Sequence, residues 1–200
     1  MTRKAEARDR ILRAVIDTLA AQGFPATTAR AIATTGGFAP GVIYYHFDDL
    51  DDLFLAAMRH SSDLRMARYL ERTDHLDQAA EMLQTLRELY EEDIATGHIA
   101  AVQQLVAGAA RSSGLAEGVR AEIDRWEEFT EQLIGRFLDG TPLALFIPKR
   151  EVAMTILAFY LGLEMLAHLD GDRSKGAAIF DSAKRAAAMI DAFLPPADRD

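Results

Sequence analysis

Between Gly23 and Phe47 the chain has room for two short helices and for nothing longer. Gly23-Phe24-Pro25 closes one side, because glycine suits the left-handed position after a helix and proline cannot continue one. Inside the segment, Thr35-Gly36-Gly37-Phe38-Ala39 separates two helix-compatible pieces, about Thr28–Thr34 and Pro40–Phe47. The glycine pair permits a positive φ in a tight turn, and Pro40 suits a first helical turn, where its missing N–H costs nothing. Upstream, Ile11, Leu12, Val15, Ile16 and Leu19 make an i, i+3, i+4, i+7 stripe on a helix from Arg3 to Gln22. Ile32, Ala33, Ile43 and Phe47 can close on that stripe, with Phe38 plugging the corner. The expectation is a three-helix unit whose turn has helix-turn-helix length.

Helical periodicity continues to the end. Asp48 or Asp49 caps a helix to about Arg72, and Leu76–Thr96, Ile99–Arg111, Leu115–Leu138, Lys149–Leu169 and Arg173–Leu194 follow. The breakers are Asp74/His75, Gly97, Gly114, Gly140-Thr141-Pro142 and Asp170-Gly171-Asp172, and Pro195-Pro196 ends the last helix. No stretch reads as a strand and none repeats. The expected fold is all-α, a three-helix head over residues 1–48 followed by a helical body over residues 49–200.

Half of the 200 residues are apolar, enough to fill a core, and there is no cysteine. That excludes disulfides, thiolate metal sites and cysteine nucleophiles, and it fits a reducing compartment. The first apolar stretch, Ala14–Ala21, is broken by Asp17 and lacks a cleavage-like sequence after it. No run approaches the ~20 apolar residues of a membrane span. The expectation is a soluble cytoplasmic protein with no membrane partner. The net charge of −9 is unevenly spread. Residues 1–47 hold six basic groups (Arg3, Lys4, Arg8, Arg10, Arg13, Arg30) and three acidic ones, net +3, and the remainder is net −12. A basic head on an acidic body is compatible with a head that meets phosphate.

The stretch Arg10-Ile11-Leu12, Gly23-Phe24-Pro25-Ala26-Thr27-Thr28-Ala29-Arg30-Ala31-Ile32-Ala33 and Gly37-Phe38-Ala39-Pro40-Gly41-Val42-Ile43-Tyr44-Tyr45-His46-Phe47 resembles the DNA-binding domain of the TetR family. The likeness covers about the first quarter of the chain and implies roles for particular residues. Thr28 would cap the second helix and meet a phosphate, and Arg30 would face the DNA backbone or a base edge. Pro40, Gly41 and Tyr44 would lie at the major groove, and Tyr45 and His46 would donate to phosphate oxygens. Of the two tyrosines, one is expected to pack and the other to contact DNA. Arg3 and Lys4 would form an arm near the groove or a solvated end. Three departures stand out. Ala39 replaces a small polar cap, a loss of roughly 1 kcal/mol. Leu50 replaces a phosphate-reaching lysine within the acidic Asp48–Asp52 segment. The recognition helix also holds few groups able to pair bidentately with bases, so readout would rest on backbone N–H groups, tyrosine, thymine methyls and DNA shape.

For the body, the resemblance implies a ligand-binding and dimerisation domain. The last two helices would pair with their copies in a homodimer, one stripe being Ala153, Ile156, Leu157, Tyr160, Leu163, Glu164 and Ala167, and another Ala183, Ala187, Ile190 and Leu194. Two heads ~34–36 Å apart would read a palindrome. A pliable, partly apolar site for a small-molecule effector would draw on Met82, Tyr90, His98, Gln103, Trp126, Phe129 and Tyr160, with Met58, Met66, Leu86, Val102 and Val106 as further wall candidates. Each of these residues can equally belong to a packed core. The histidines are scattered and no phosphate-loop or His-Glu-x-x-His motif occurs, so no enzyme, cofactor or metal is expected. Glu164 and His168, four apart on a helix, read as a polar pair. The reading is a ligand-responsive DNA-binding regulator, a repressor of a palindromic operator released by a small molecule. The alternative is a TetR-like small-molecule or protein-binding module with weak or lost DNA binding.

Overall fold

The computed structural model describes residues 3–172 and 174–193, and every element among them is helical. The helices are α1 (Arg3–Gln22), α2 (Ala29–Gly36), α3 (Gly41–His46), α4 (Leu50–Thr73), α5 (Ala79–Ala95), α6 (His98–Gly108), α7 (Ser113–Leu138), α8 (Lys149–Asp170) and α9 (Ser174–Phe193). Single 3-10 turns at Phe24–Ala26, Ala109–Arg111 and Pro142–Leu145 fill three of the connections. Arg173, Leu194, Pro195 and Pro196, and the side chains of Arg3, His168 and Ile190, lie outside what is described.

The expected helices all form, and the corrections fall at their ends. Gly114 does not break the chain. It sits in the first turn of α7, which starts after Ser112, whose hydroxyl accepts the Leu115 N–H at 3.3 Å. The helix expected over Ile99–Arg111 tightens to 3-10 geometry after Gly108. α5 starts only at Ala79, where both carboxylate oxygens of Asp191 accept N–H groups, from Ala79 and Ala80, at 2.9 Å each. A cap supplied from over a hundred residues away leaves no local sequence signal.

The chain forms two compact units, Met1–Arg65 with Asp93–Ile123 and Met66–Glu92 with Asp124–Asp200, and it crosses from one to the other within α4, α5 and α7. The first unit therefore extends past the expected head of residues 1–48. Its core joins the α1 stripe to Ile32, Ile43, Phe47, Leu53, Phe54, Ala57 and Met58, and to Ala101, Leu105, Leu115 and Val119. Each large apolar side chain buried there contributes about 1.5–3 kcal/mol. The second unit has a smaller aromatic core of Tyr69, Leu89, Phe129 and Leu133, with Met66, Leu86 and Trp126 against it.

Candidate nucleic-acid interface

The turn between α2 and α3 is built as the sequence predicts. Gly37 adopts φ 65°, ψ 42°, and its N–H closes on the end of α2. Gly36 is needed for a different reason: a Cβ there would lie 2.1 Å from the Phe38 ring, which fills the corner. From α1, Arg10 donates Nε to the Gly36 carbonyl at 2.8 Å and Nη2 to the Gly37 carbonyl. One guanidinium thus satisfies two carbonyls at the end of α2 and ties the turn to α1. Nothing in the local pattern distinguishes Arg10 from its solvated neighbours, so the sequence reading missed it.

Thr28 precedes α2 in an extended conformation, and its hydroxyl accepts the Ala31 N–H at 3.2 Å. That is the expected cap. Pro40 already has helical dihedrals (φ −54°, ψ −33°), and α3 begins without a side-chain cap, as Ala39 implied. Ile43 turns inward and is fully buried, whereas Pro40, Gly41, Tyr44 and Tyr45 face outward. Here the reading needs correction, because neither tyrosine packs away: Tyr44 is 58% exposed and Tyr45 74%. On so short a helix Ile43 and Phe47 already fill the inward face. His46 is half-buried, with its ring 5.1 Å from that of Tyr45, edge to face. Arg30 is exposed on α2.

The acidic segment after Phe47 is a helix start. Asp49 Oδ1 accepts the Asp52 N–H at 2.8 Å, and Asp52 Oδ2 accepts the Asp48 N–H at 3.2 Å. These bonds satisfy one amide in the first turn of α4 and one just before it, at the electropositive end of the helix. Leu50 packs against the first core, so its position supplies anchorage to the head.

Two residues of α6 also hold the head. Gln104 Oε1 accepts the Phe24 N–H at 2.9 Å. The Phe24 ring, 5.3 Å from that of Phe54, lies where a Cβ on Gly108 would come within 2.4 Å. Separations of about eighty residues put both contacts beyond sequence patterning.

The effector candidates fall into groups. In the first unit His98 is buried in a polar chain: its Nε2 lies 2.6 Å from Arg65 Nη1 and its Nδ1 2.8 Å from Ser61 Oγ. Because guanidinium only donates, Nε2 accepts and Nδ1 carries the proton of a neutral imidazole. Arg65 also donates Nε to Asp93 Oδ1 at 2.9 Å and Nη2 to Oδ2. Gln103 is half-buried in the same unit. In the second unit Trp126 and Phe129 stack edge to face with Tyr69, at 5.8 and 6.4 Å. Tyr90 meets Tyr160 at 5.3 Å and Phe180 at 5.4 Å, and Met82 is buried. That unit also carries a surface groove of about 670 Å³ lined by charged groups, among them Glu128, Glu131, Asp139 and Lys149, and by none of the candidates.

On α8 and α9 the proposed pairing stripe needs revision. Ala153, Leu163, Glu164, Ala167 and Ala187 are buried within this chain. Of the stripe, Ile156 stays exposed, and the other large apolar groups left outside among the described residues are Met154, Met165, Leu166 and Leu169 on α8 and Ile179 and Met189 on α9. Ala-rich helices offer apolar residues on several faces, so periodicity could not choose between them.

A stapled helix-turn-helix with an outward-facing α3, followed by a helical body, is the architecture of helix-turn-helix regulators. Residues 11–57 match the family model described as bacterial regulatory proteins, tetR family. The chain is 26% identical over 188 residues to the HTH-type transcriptional regulator UidR of Escherichia coli strain K12, covering 94% of this chain and 92% of that one. Its fold is similar to that of Salmonella enterica GusR, with a TM-score of 0.68 at 20% identity over 97% of this chain and 98% of that one. It is also similar to the regulator FadR of Bacillus subtilis solved in complex with stearoyl-CoA, with a TM-score of 0.67 at 15% identity over 88% and 95% of the two chains. The resemblance to bacterial transcriptional regulators thus starts from a tetR-type domain at residues 11–57 and runs over nearly the whole chain. No helix among the described residues is long and apolar enough to cross a membrane.

Proposed function

We propose that the chain is a homodimeric repressor that binds a palindromic operator and is released by a small molecule. The observation that carries this reading is α3, which buries Ile43 and turns Pro40, Gly41, Tyr44 and Tyr45 outward beside a basic α1. Thr28, Arg30 and His46 complete the DNA-facing set. One short helix reads too little sequence alone, and a two-fold pair of heads reads a palindrome. The exposed apolar groups of α8 and α9 support pairing of two copies through that face. In this reading residues 1–48 meet DNA, in the cytoplasm, and residues 49–200 bind effector and pair. The effector is partly apolar, and the candidates for holding it fall in separate units, His98 and Gln103 in the first and Met82, Tyr90, Trp126, Phe129 and Tyr160 in the second. FadR, of the same fold, was solved with an acyl-CoA. Effector binding shifts the population of α4, which three residues separate from α3, and so changes the spacing of the heads.

Mobility-shift titration against the DNA flanking its own gene, with random competitor, tests the reading. A retarded complex that survives competitor and weakens with salt is expected. Failure to form one on any flanking duplex overturns it in favour of a module that has lost DNA binding. Sedimentation at the same concentrations checks the dimer.

A further inference from the structure

We propose that Lys4, Arg8 and Tyr45 form a clamp for a backbone phosphate of duplex DNA at the C-terminal end of α3. The inference rests on the DNA-binding reading and assigns to it a contact site on α1. Lys4 and Arg8 are four residues apart and share a helix face. Farther along α1, that face buries Ile11, Leu12 and Val15 against the first core. The packing that seats α1 therefore carries Lys4 onto α3 and Arg8 onto Phe47 just after it. Lys4 Nζ lies 5.6 Å from the centroid of the Tyr45 ring, and the Arg8 guanidinium carbon lies 5.2 Å from that of Phe47.

A cation resting on a ring face keeps its N–H donors for other partners. Both cations are exposed, as is the Tyr45 phenol, itself a donor. Lys4 thus stands beside Tyr45 at the outward face of α3, and Arg8 lies one helical turn along α1 against Phe47. Among the described side chains, the other α1 cations are committed elsewhere. Arg10 holds the turn carbonyls, and Arg13 pairs with Asp9. The nearby carboxylates of Asp49 and Asp52 accept amides at the start of α4. A lysine at position 50 would have reached phosphate from α4. Leu50 is packed against the core, and the clamp supplies the counter-charge from α1.

Charge-neutralising contacts are counted by the salt dependence of binding: each one lost lowers the slope of log K against log salt by about 0.9. The probe is a fluorescein-labelled random-sequence duplex, read by anisotropy with the full chain. Lys4→Met, which keeps the apolar stem, is expected to lower the slope by about 0.9 per bound head, and Lys4→Met with Arg8→Gln by about 1.8. Between roughly 50 and 200 mM salt the double variant then loses about 12-fold less affinity per head than the wild type. Lys4→Arg keeps the wild-type slope, and so does Lys184→Met on α9. An unchanged slope in a double variant with a wild-type melting curve overturns the clamp and leaves the DNA-binding reading intact. A wild-type chain with no salt-dependent binding to any duplex overturns both.

Discussion

Removing the Asp93 carboxylate should cost this protein a large share of its stability. Asp93 is 0% exposed and holds the buried Arg65 guanidinium through two parallel hydrogen bonds, while the third guanidinium nitrogen faces neutral His98. Arginine keeps its charge at any accessible pH, so Asp93→Ala takes away a carboxylate bonded twice to a buried cation. Breaking such a pair from one side costs about 3–5 kcal/mol, against about 5–15 kcal/mol for a whole domain. For a chain of this size that is a fall in melting temperature of about 6–20 °C. Urea titration at matched protein concentration measures it, with an unchanged m-value showing that the denatured state is the same. Arg65→Met with Asp93→Leu removes both charges and should recover most of the loss, since buried pairs often break even against apolar substitutes. The reasoning is refuted if Asp93→Ala costs less than about 1 kcal/mol, or if the double variant costs the sum of the singles.

Further expectations concern packing, assembly and titration. Gly108→Ala places a methyl 2.4 Å from the Phe24 ring and should cost about 1–3 kcal/mol as overpacking, read by denaturation and relieved by Phe24→Leu. Met165→Glu or Met189→Glu puts a charge on the exposed apolar face of α8 or α9; a sedimentation coefficient falling to that of a monomer, with helical content retained, is expected, and an unchanged one counts against pairing there. The Glu88 carboxyl is held below the usual glutamate range first by the Gln84 amide and then by Arg72. Because its folded value is depressed, its contribution to stability is present above the ordinary carboxylate range and lost as pH falls through the folded value. Gln84→Ala should move the carboxyl titration upward, as followed by carbon-13 shifts. Leu50→Lys should lower stability by withdrawing a side chain from the first core, and a denaturation midpoint at or above wild type would contradict that.

Much of the head was legible because its signals are local. A glycine with positive φ, a proline at a helix start, a threonine cap and an apolar stripe each act within about one helical turn, and residues 23–47 fold as those signals require. Two departures that looked damaging have local and tertiary explanations: Asp49 and Asp52 accept amides at the start of α4, and Leu50 packs against the first core. In the body, the helices were legible and the roles of their faces were not. Tyr90, Trp126, Phe129 and Tyr160 carry the same pattern whether they line a cavity or stack on one another.

The sequence by itself determined the all-α class, the helix-turn-helix and the asymmetry between a basic head and an acidic body, because period, breakers and charge are properties of neighbouring residues. Tertiary structure decided which cations face outward and which staple a turn, that His98 closes a buried chain with Arg65, Asp93 and Ser61, and which face of α8 and α9 remains exposed. Those outcomes depend on partners tens of residues away, such as Arg10 with Gly36 and Phe24 with Gln104 and Gly108. Only the packed chain brings such partners within reach of one another.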